Sequence, residues 1–193
     1  MRVASQGRSA RIFNLACGPA LEVQKFLIEQ EISNQAEVEL IDFNEETLEH
    51  ANRVLSELKA KHHRTSNLHF VKKSVNQILK GGGKTIELPA ASKHDFVYCA
   101  GLFDYLSDSI CTRLMRILYD RLSPGGLLLV TNVDRSRPFH TSMEYILDWR
   151  LVCRTGPKFQ EMVSRNLPPS DISVKSDPTG VNIFLEVRKP KDA

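Results

Sequence analysis

The sequence predicts an α/β fold: a mostly parallel sheet flanked by helices and closed by an antiparallel C-terminal hairpin. Two observations carry this. Apolar strand-like runs alternate with helix-like segments along most of the chain, the order produced by parallel strands and crossover helices. Near the C-terminus the alternation stops. Two strand-like runs, 172–175 and 181–187, flank Asp177-Pro178-Thr179-Gly180, and strands joined by so short a turn must be antiparallel. The composition agrees, since 193 residues with 41% apolar and 25% charged side chains suffice for one buried core. At about 150 residues per domain, a single domain over 11–190 behind a flexible tail of residues 1–10 is expected.

Each element has a local reason. The first strand, over 11–16, is apolar on both faces, as a buried parallel strand is. Cys17-Gly18-Pro19 turns the chain into a helix over 20–32, with Leu21, Leu27, Ile28 and Ile32 as its apolar positions. A second strand over 38–42 ends at Asp42. Asn44 then fits an N-cap, with Glu45 and Glu46 in the first turn, where the helix dipole favours acids. The helix it opens repeats Leu48, Ala51, Leu55 and Leu58 at spacings of three and four. A third strand over 68–72, a short helix over 75–79 and a loop through Gly81, Gly82 and Gly83 follow. A fourth strand is expected over 96–100. A helix over 109–122 carries Ile110, Leu114, Ile117, Leu118 and Leu122 on one side and stops at Ser123-Pro124-Gly125-Gly126. A fifth strand over 127–133 and a helix over 142–153 precede the hairpin.

Charge and motif content exclude several functions. Twenty-six basic against 23 acidic residues give +3, too small an excess to demand a nucleic acid or a membrane surface. No apolar run approaches the roughly 20 residues of a membrane span, and the polar N-terminus lacks a signal-peptide core. Cys17, Cys99, Cys111 and Cys153 form no CxxC pair. That argues against a zinc site or a disulfide scaffold and for a reducing, cytoplasmic setting. Gly81-Gly82-Gly83-Lys84-Thr85 looks like the end of a phosphate loop, but Ile78 stands where the first glycine belongs and Pro89 forbids the long helix. His62, His63 and His69 have no acid or cysteine at ligand spacing. Lys59, Lys61, Arg64, Lys72 and Lys73 cluster loosely, which is the argument for an RNA partner. Phe70 is the single Phe, Tyr or Trp among them, too few for a row of stacking platforms.

The chemistry concentrates where strands end. Asn14-Leu15-Ala16-Cys17-Gly18-Pro19-Ala20 is a small-residue loop leading to a helix N-terminus, where backbone can approach a ligand. Asp42 lies 24 residues after Gly18, close to the roughly 20-residue offset of an acid that binds ribose hydroxyls. Capping of the next helix is its other reading. Phe43 follows and offers a ring to a base. Cys99-Ala100-Gly101 leaves room at the end of the fourth strand, the edge at which such sheets bind ligands. His140, after the fifth strand, is a candidate base or a solvated loop histidine. Glu144 and Asp148 share a helical face. Arg150, and more weakly Arg137 and Arg154, could clamp a carboxylate.

The order of segments from about residue 10 to 189 resembles the class I S-adenosylmethionine (SAM)-dependent methyltransferases. Gly18 matches their first loop, whereas Asn14 stands where that family has an acid, and Ala16 and Ala20 where it has glycines. The resemblance implies a seven-stranded, Rossmann-like methyltransferase sheet and SAM as cofactor. It assigns cofactor contacts to Asn14, Ala16, Cys17, Gly18, Asp42 and Phe43. Ser74 and Val75 would approach the adenine, and the backbone of Cys99, Ala100 and Gly101 would hold the methionine end. Asp104 and Tyr105 would line the methyl-transfer pocket, with His140 and Asp148 as further catalytic candidates. Residues 100–106, 122–126 and 143–150 look like bacterial extracellular-factor 3-hydroxypalmitic acid methyl ester biosynthesis proteins. This implies a small-molecule or lipid-like acceptor, such as a hydroxy-acid carboxylate. In that group further N-terminal sequence often precedes the domain, so a lid that is absent, borrowed or part of a longer chain is expected here. A non-catalytic methyltransferase-like module, an RNA methyltransferase and a nicotinamide-dependent oxidoreductase are the competing functions. The degraded glycine pattern and the closing hairpin count against the oxidoreductase. The expectation includes no metal and no membrane span, and leaves the oligomeric state open.

Overall fold

The computed structural model describes residues 7–81, 93–164, 167 and 171–191. The chain divides into two compact units at Phe96–Val97. The first contains β1 (Ala10–Leu15), α1 (Leu21–Glu29), β2 (Ala36–Asp42), α2 (Glu45–Lys61), β3 (Asn67–Lys72), α3 (Val75–Lys80) and the start of β4 (His94–Cys99). Its strands lie in the order β3-β2-β1-β4. β1 and β2 are parallel from Ala10↔Ala36 to Leu15↔Ile41, and β2 and β3 from Glu37↔Asn67 to Asp42↔Lys72. The ends of β1, β2 and β3 therefore open onto one edge. β2 is buried along almost its whole length, while β3 alternates as an edge strand does.

Local sequence explains these helices. The Asn44 side chain accepts from Thr47 N–H at 3.2 Å and caps α2, whose Leu48, Ala51 and Leu55 are buried. Val23 and Leu27 of α1 join Val38, Leu40, Leu48 and Leu55 in one apolar cluster, with Cys17 and Ala20 from the loop. Burying each large aliphatic side chain there stabilises the fold by about 1.5–3 kcal/mol. α1 ends at Glu29, short of the expected 32. Arg64 Nε donates to Leu27 O at 2.7 Å and satisfies a last-turn carbonyl, and Gln30 is extended (φ −123°). Ile32 falls in the 3-10 turn Glu31–Gln35.

The second unit contains the end of β4, α4 (Asp108–Asp120), β5 (Leu122–Val133), α5 (Phe139–Leu147), α6 (Gly156–Ser164), β6 (Asp171–Ser176) and β7 (Asn182–Arg188). Its strands lie in the order β4-β5-β7-β6. β7 runs antiparallel to both neighbours, pairing Leu127↔Arg188 to Val133↔Asn182 and Asp171↔Arg188 to Ser176↔Ile183, so the closing hairpin is as expected. Asp177 folds its turn, accepting Val181 N–H and Thr179 Oγ1–H at 2.9 Å and Asn182 Nδ2–H at 3.1 Å. Leu114 and Leu118 of α4, Phe159 and Val163 of α6, and Leu185 and Val187 of β7 are fully buried.

Three expectations change in this half. β5 begins at Leu122 and not at 127, because the Ser-Pro-Gly-Gly stretch continues the strand. Gly125, at φ +76°, donates its N–H to Pro190 O at 3.1 Å. The helix expected over 142–153 runs instead from Phe139 to Leu147. It stops where Asp148 takes a left-handed conformation (φ +48°) and Trp149 N–H reaches back to Met143 O at 2.9 Å. α6 was not expected. Its Gly156-Pro157 start suits a helix because proline belongs in a first helical turn, and Phe159, Met162 and Val163 supply the helical spacing.

Candidate functional site

In the first unit the loop after β1 is built on alternate left-handed residues, with Ala16 at φ +57°, Gly18 at +52° and Ala20 at +53°. Only Gly18 adopts this without a Cβ penalty. The turn is held by Cys17 N–H to Ile41 O at 3.0 Å and Ala20 N–H to Cys17 O at 2.9 Å. Asp42, 7% exposed, accepts Gly18 N–H on Oδ2 and Asn44 N–H on Oδ1, each at 3.0 Å. It thus fixes the loop and the entry to α2 together. Each oxygen retains a lone pair, so the carboxylate can still accept from two vicinal hydroxyls. Beside it Phe43 is 68% exposed, an apolar ring available for stacking.

The other predicted residues of this unit have visible roles. The Asn14 side chain is buried and donates to Glu22 Oε1 at 3.0 Å. An acid therefore stands beside the expected position, contributed by α1, which the sequence reading missed. Burial, followed by the charges of Asp42 and Glu22, pushes the Cys17 thiol up to about 12, so it stays protonated. Ser74 closes a capping box: its Oγ accepts Gln77 N–H at 3.3 Å and its N–H donates to Gln77 Oε1 at 2.8 Å. Val75 is half-buried at the first turn of α3. The basic cluster is partly consumed, because Lys72 pairs with Glu45 at 2.6 Å and Arg64 caps α1.

The second unit carries a buried polar network at the ends of β4 and β5. Cys99 is fully buried, and burial raises its thiol first of all. Ala100 is exposed, and Gly101 (φ +82°) donates its N–H to Thr131 Oγ1 at 3.0 Å. Asp104 turns inward to accept Val133 N–H at 2.7 Å and the Asn132 amide. Burial raises its carboxyl above the ordinary value against the pull of those donors and of Arg154. Arg154, 3% exposed, donates to Phe103 O, Asn132 Oδ1 and Asp108 Oδ1 at 2.9 Å and to Leu106 O at 2.6 Å. Every arm of the guanidinium is used internally, so Arg154 is no acceptor clamp. The polar run Thr131-Asn132 inside an apolar strand was the available signal for this network.

Tyr105 is half exposed, and its Oη accepts the Trp149 indole N–H at 2.7 Å. Asp148 and Arg150 are both exposed and pair with each other at 3.7 Å. The His140 side chain lies outside the described residues, as do residues 82–92 with most of the glycine-lysine loop. A cavity of about 390 Å³ is walled by Arg135, Met143, Glu144, Trp149, Leu151, Val152 and Cys153. Of these, the sequence marks only Glu144 as a candidate. Among the described residues no group of three or more His, Cys, Asp or Glu is placed to hold a metal ion. None of their helices is long and apolar enough to cross a membrane.

No family model matches the sequence, and no curated protein does. Solved structures do. The chain is similar to a possible exported protein from Bordetella parapertussis, with TM-score 0.70 and 17% identity over 98% of this chain and 65% of that one. It is similar to the S-adenosylmethionine-dependent methyltransferase SibL in its apo form, with TM-score 0.69 and 16% identity over 95% of this chain and 51% of that one. It is also similar to the magnesium protoporphyrin IX methyltransferase of Synechocystis with S-adenosylhomocysteine (SAH) bound, with TM-score 0.66 and 13% identity over 97% and 78%. The chain thus spans between half and two thirds of the length of the first two. At these identities the likeness establishes the fold: a seven-stranded, Rossmann-like methyltransferase sheet, mostly parallel, with an antiparallel C-terminal pair.

Proposed function

We propose that the chain is a SAM-dependent methyltransferase acting on a small-molecule or lipid-like acceptor. One observation carries the reading. A buried carboxylate, Asp42, shapes the Gly18 loop at the end of two parallel strands and keeps free lone pairs for ribose hydroxyls. The exposed Phe43 ring beside it suits the adenine. Bound SAM would supply a methyl group on a positively charged sulfonium. The chain's part is to hold and orient the reactants and exclude water. A carboxylate acceptor, as in the hydroxy-acid reading, is already ionised at pH 7 and needs no base; a hydroxyl acceptor requires one, for which His140 is the candidate. Cofactor contacts by Asn14, Ala16, Cys17, Ser74, Val75, Cys99, Ala100 and Gly101, and catalytic parts for Tyr105 and Asp148, belong to the same reading. The four thiols are free, which supports a reducing, cytoplasmic setting.

Calorimetric titration with SAM and with SAH tests this. Saturable one-to-one binding is expected. Phe43→Ala, at a ring that is 68% exposed, should weaken it about tenfold through lost stacking. No heat from either ligand in a folded chain overturns the enzyme reading. It would favour a non-catalytic module, the reading to which Asn14, Ala16 and Ala20 point.

A further inference from the structure

The cavity of the second unit holds two charges that are not paired with each other. Arg135 lies two residues beyond β5, and its N–H donates to the carbonyl of the buried Arg154 at 3.1 Å, which fixes its backbone. Glu144 projects from α5, whose end is set by the left-handed Asp148 and the Trp149-to-Met143 hydrogen bond. Among the described residues neither the Arg135 guanidinium nor the Glu144 carboxylate makes a hydrogen bond or ion pair. Both nevertheless act on the Cys153 thiol with opposite sign, behind the larger effects of burial and Asp104, so both stand near the same wall. The remaining walls are apolar: Met143, Trp149, Leu151 and Val152. The indole is held by its N–H on Tyr105 Oη.

A cavity of about 390 Å³ lies at the small end of ligand pockets, roughly 300–1,000 Å³, and suits a ring-sized body better than a long acyl chain. A simple acid would use Arg135 but set its carboxylate against Glu144, and a simple amine would meet the converse. We propose that this cavity takes a compact zwitterion of the amino-acid class, its carboxylate at Arg135, its ammonium at Glu144 and its apolar or aromatic body against Trp149 and Leu151. As the acceptor class of the enzyme this rests on the methyltransferase reading above.

Trp149 is the only tryptophan in the sequence, so its fluorescence reports this cavity directly. The probes are L-phenylalanine, hydrocinnamate, which lacks the ammonium, and phenethylamine, which lacks the carboxylate. L-Phenylalanine is expected to change the emission saturably and to bind about fivefold or more tighter than either analogue. Glu144→Gln should erase its advantage over hydrocinnamate, and Arg135→Gln its advantage over phenethylamine; both side chains are exposed, so both variants should fold. Equal affinity for the three probes, or no saturable response from any of them, overturns the proposal. SAH binding is measured separately by calorimetry. If SAH binds and L-phenylalanine does not, this inference falls alone. If L-phenylalanine binds and SAH does not, the zwitterion site stands and its role as acceptor site falls.

Discussion

The amide of Gly18 donates to Asp42 Oδ2 at 3.0 Å, joining the loop after β1 to the end of β2 across 24 residues of sequence. The same carboxylate accepts Asn44 N–H, and the Asp42 carbonyl accepts Lys73 N–H at 2.8 Å. One side chain thus shapes the loop, the entry to α2 and, in the proposed function, the ribose site. Asp42→Ala leaves two backbone donors without their acceptor and should cost about 2 kcal/mol. Asp42→Asn keeps one acceptor oxygen and should cost about half as much. Thermal unfolding of the two variants checks the order.

Ala16 is half-buried at φ +57°. An L residue there is strained by about 1–2 kcal/mol, offset in part by the chain entropy glycine loses on folding. Ala16→Gly is therefore expected to stabilise the protein by about 0.5–1 kcal/mol in denaturant unfolding. Ala20→Gly should gain less or nothing, because its methyl is part of the apolar cluster.

Removing a buried cation from a satisfied network is costly. Arg154→Ala should destabilise the protein by about 3–5 kcal/mol. Arg154→Lys should recover little of this, since a single ammonium cannot reach Phe103 O, Leu106 O, Asn132 and Asp108 together. Urea midpoints of the two variants should lie close together and well below that of the parent.

Asp104 sets a pH dependence. Burial places its carboxyl above the ordinary 3.8, so the folded state still holds the proton at pH values where the unfolded chain has released it. Its contribution to stability therefore falls as pH rises from the ordinary carboxylate value to the folded one, and is constant beyond. The difference in unfolding free energy between the parent and Asp104→Asn should move against the parent over that window. A difference that is flat or rises with pH contradicts the assignment.

The thiols should be slow. Raising Cys17 from 9.0 to about 12 lowers its thiolate fraction near pH 8 about a thousandfold, and burial lifts Cys111 to about 11. Cys153 is half-buried where the other three are buried, and it should be the first to react with a disulfide reagent, with the others following only on unfolding.

The alternation of strands with helices and the closing hairpin were legible because buried parallel strands and a short Asp-Pro-Thr-Gly turn leave marks in a single stretch of sequence. That the second strand ends at Asp42 was legible in the same way; that its carboxylate accepts Gly18 N–H was not. What escaped depends on distant partners. The end of α1 is set by Arg64, 37 residues away from Leu27. Arg154 read as a ligand clamp because nothing adjacent to it in sequence shows that its acceptors are carbonyls from elsewhere in the chain. α5 stops at Asp148 through a left-handed residue that is not glycine. The extra strand length at Ser123-Pro124-Gly125-Gly126 was hidden by residues that ordinarily end elements.

The Arg154 network has a kinetic consequence. Its acceptors at Phe103, Leu106 and Asn132 lie 51, 48 and 22 residues before it, so the knot closes only after long stretches of chain have been drawn together. Contacts of this kind form late on the folding route. They act as a latch, opposing escape from the native basin more than they hasten arrival, and their loss should be felt mainly as a shortened native lifetime.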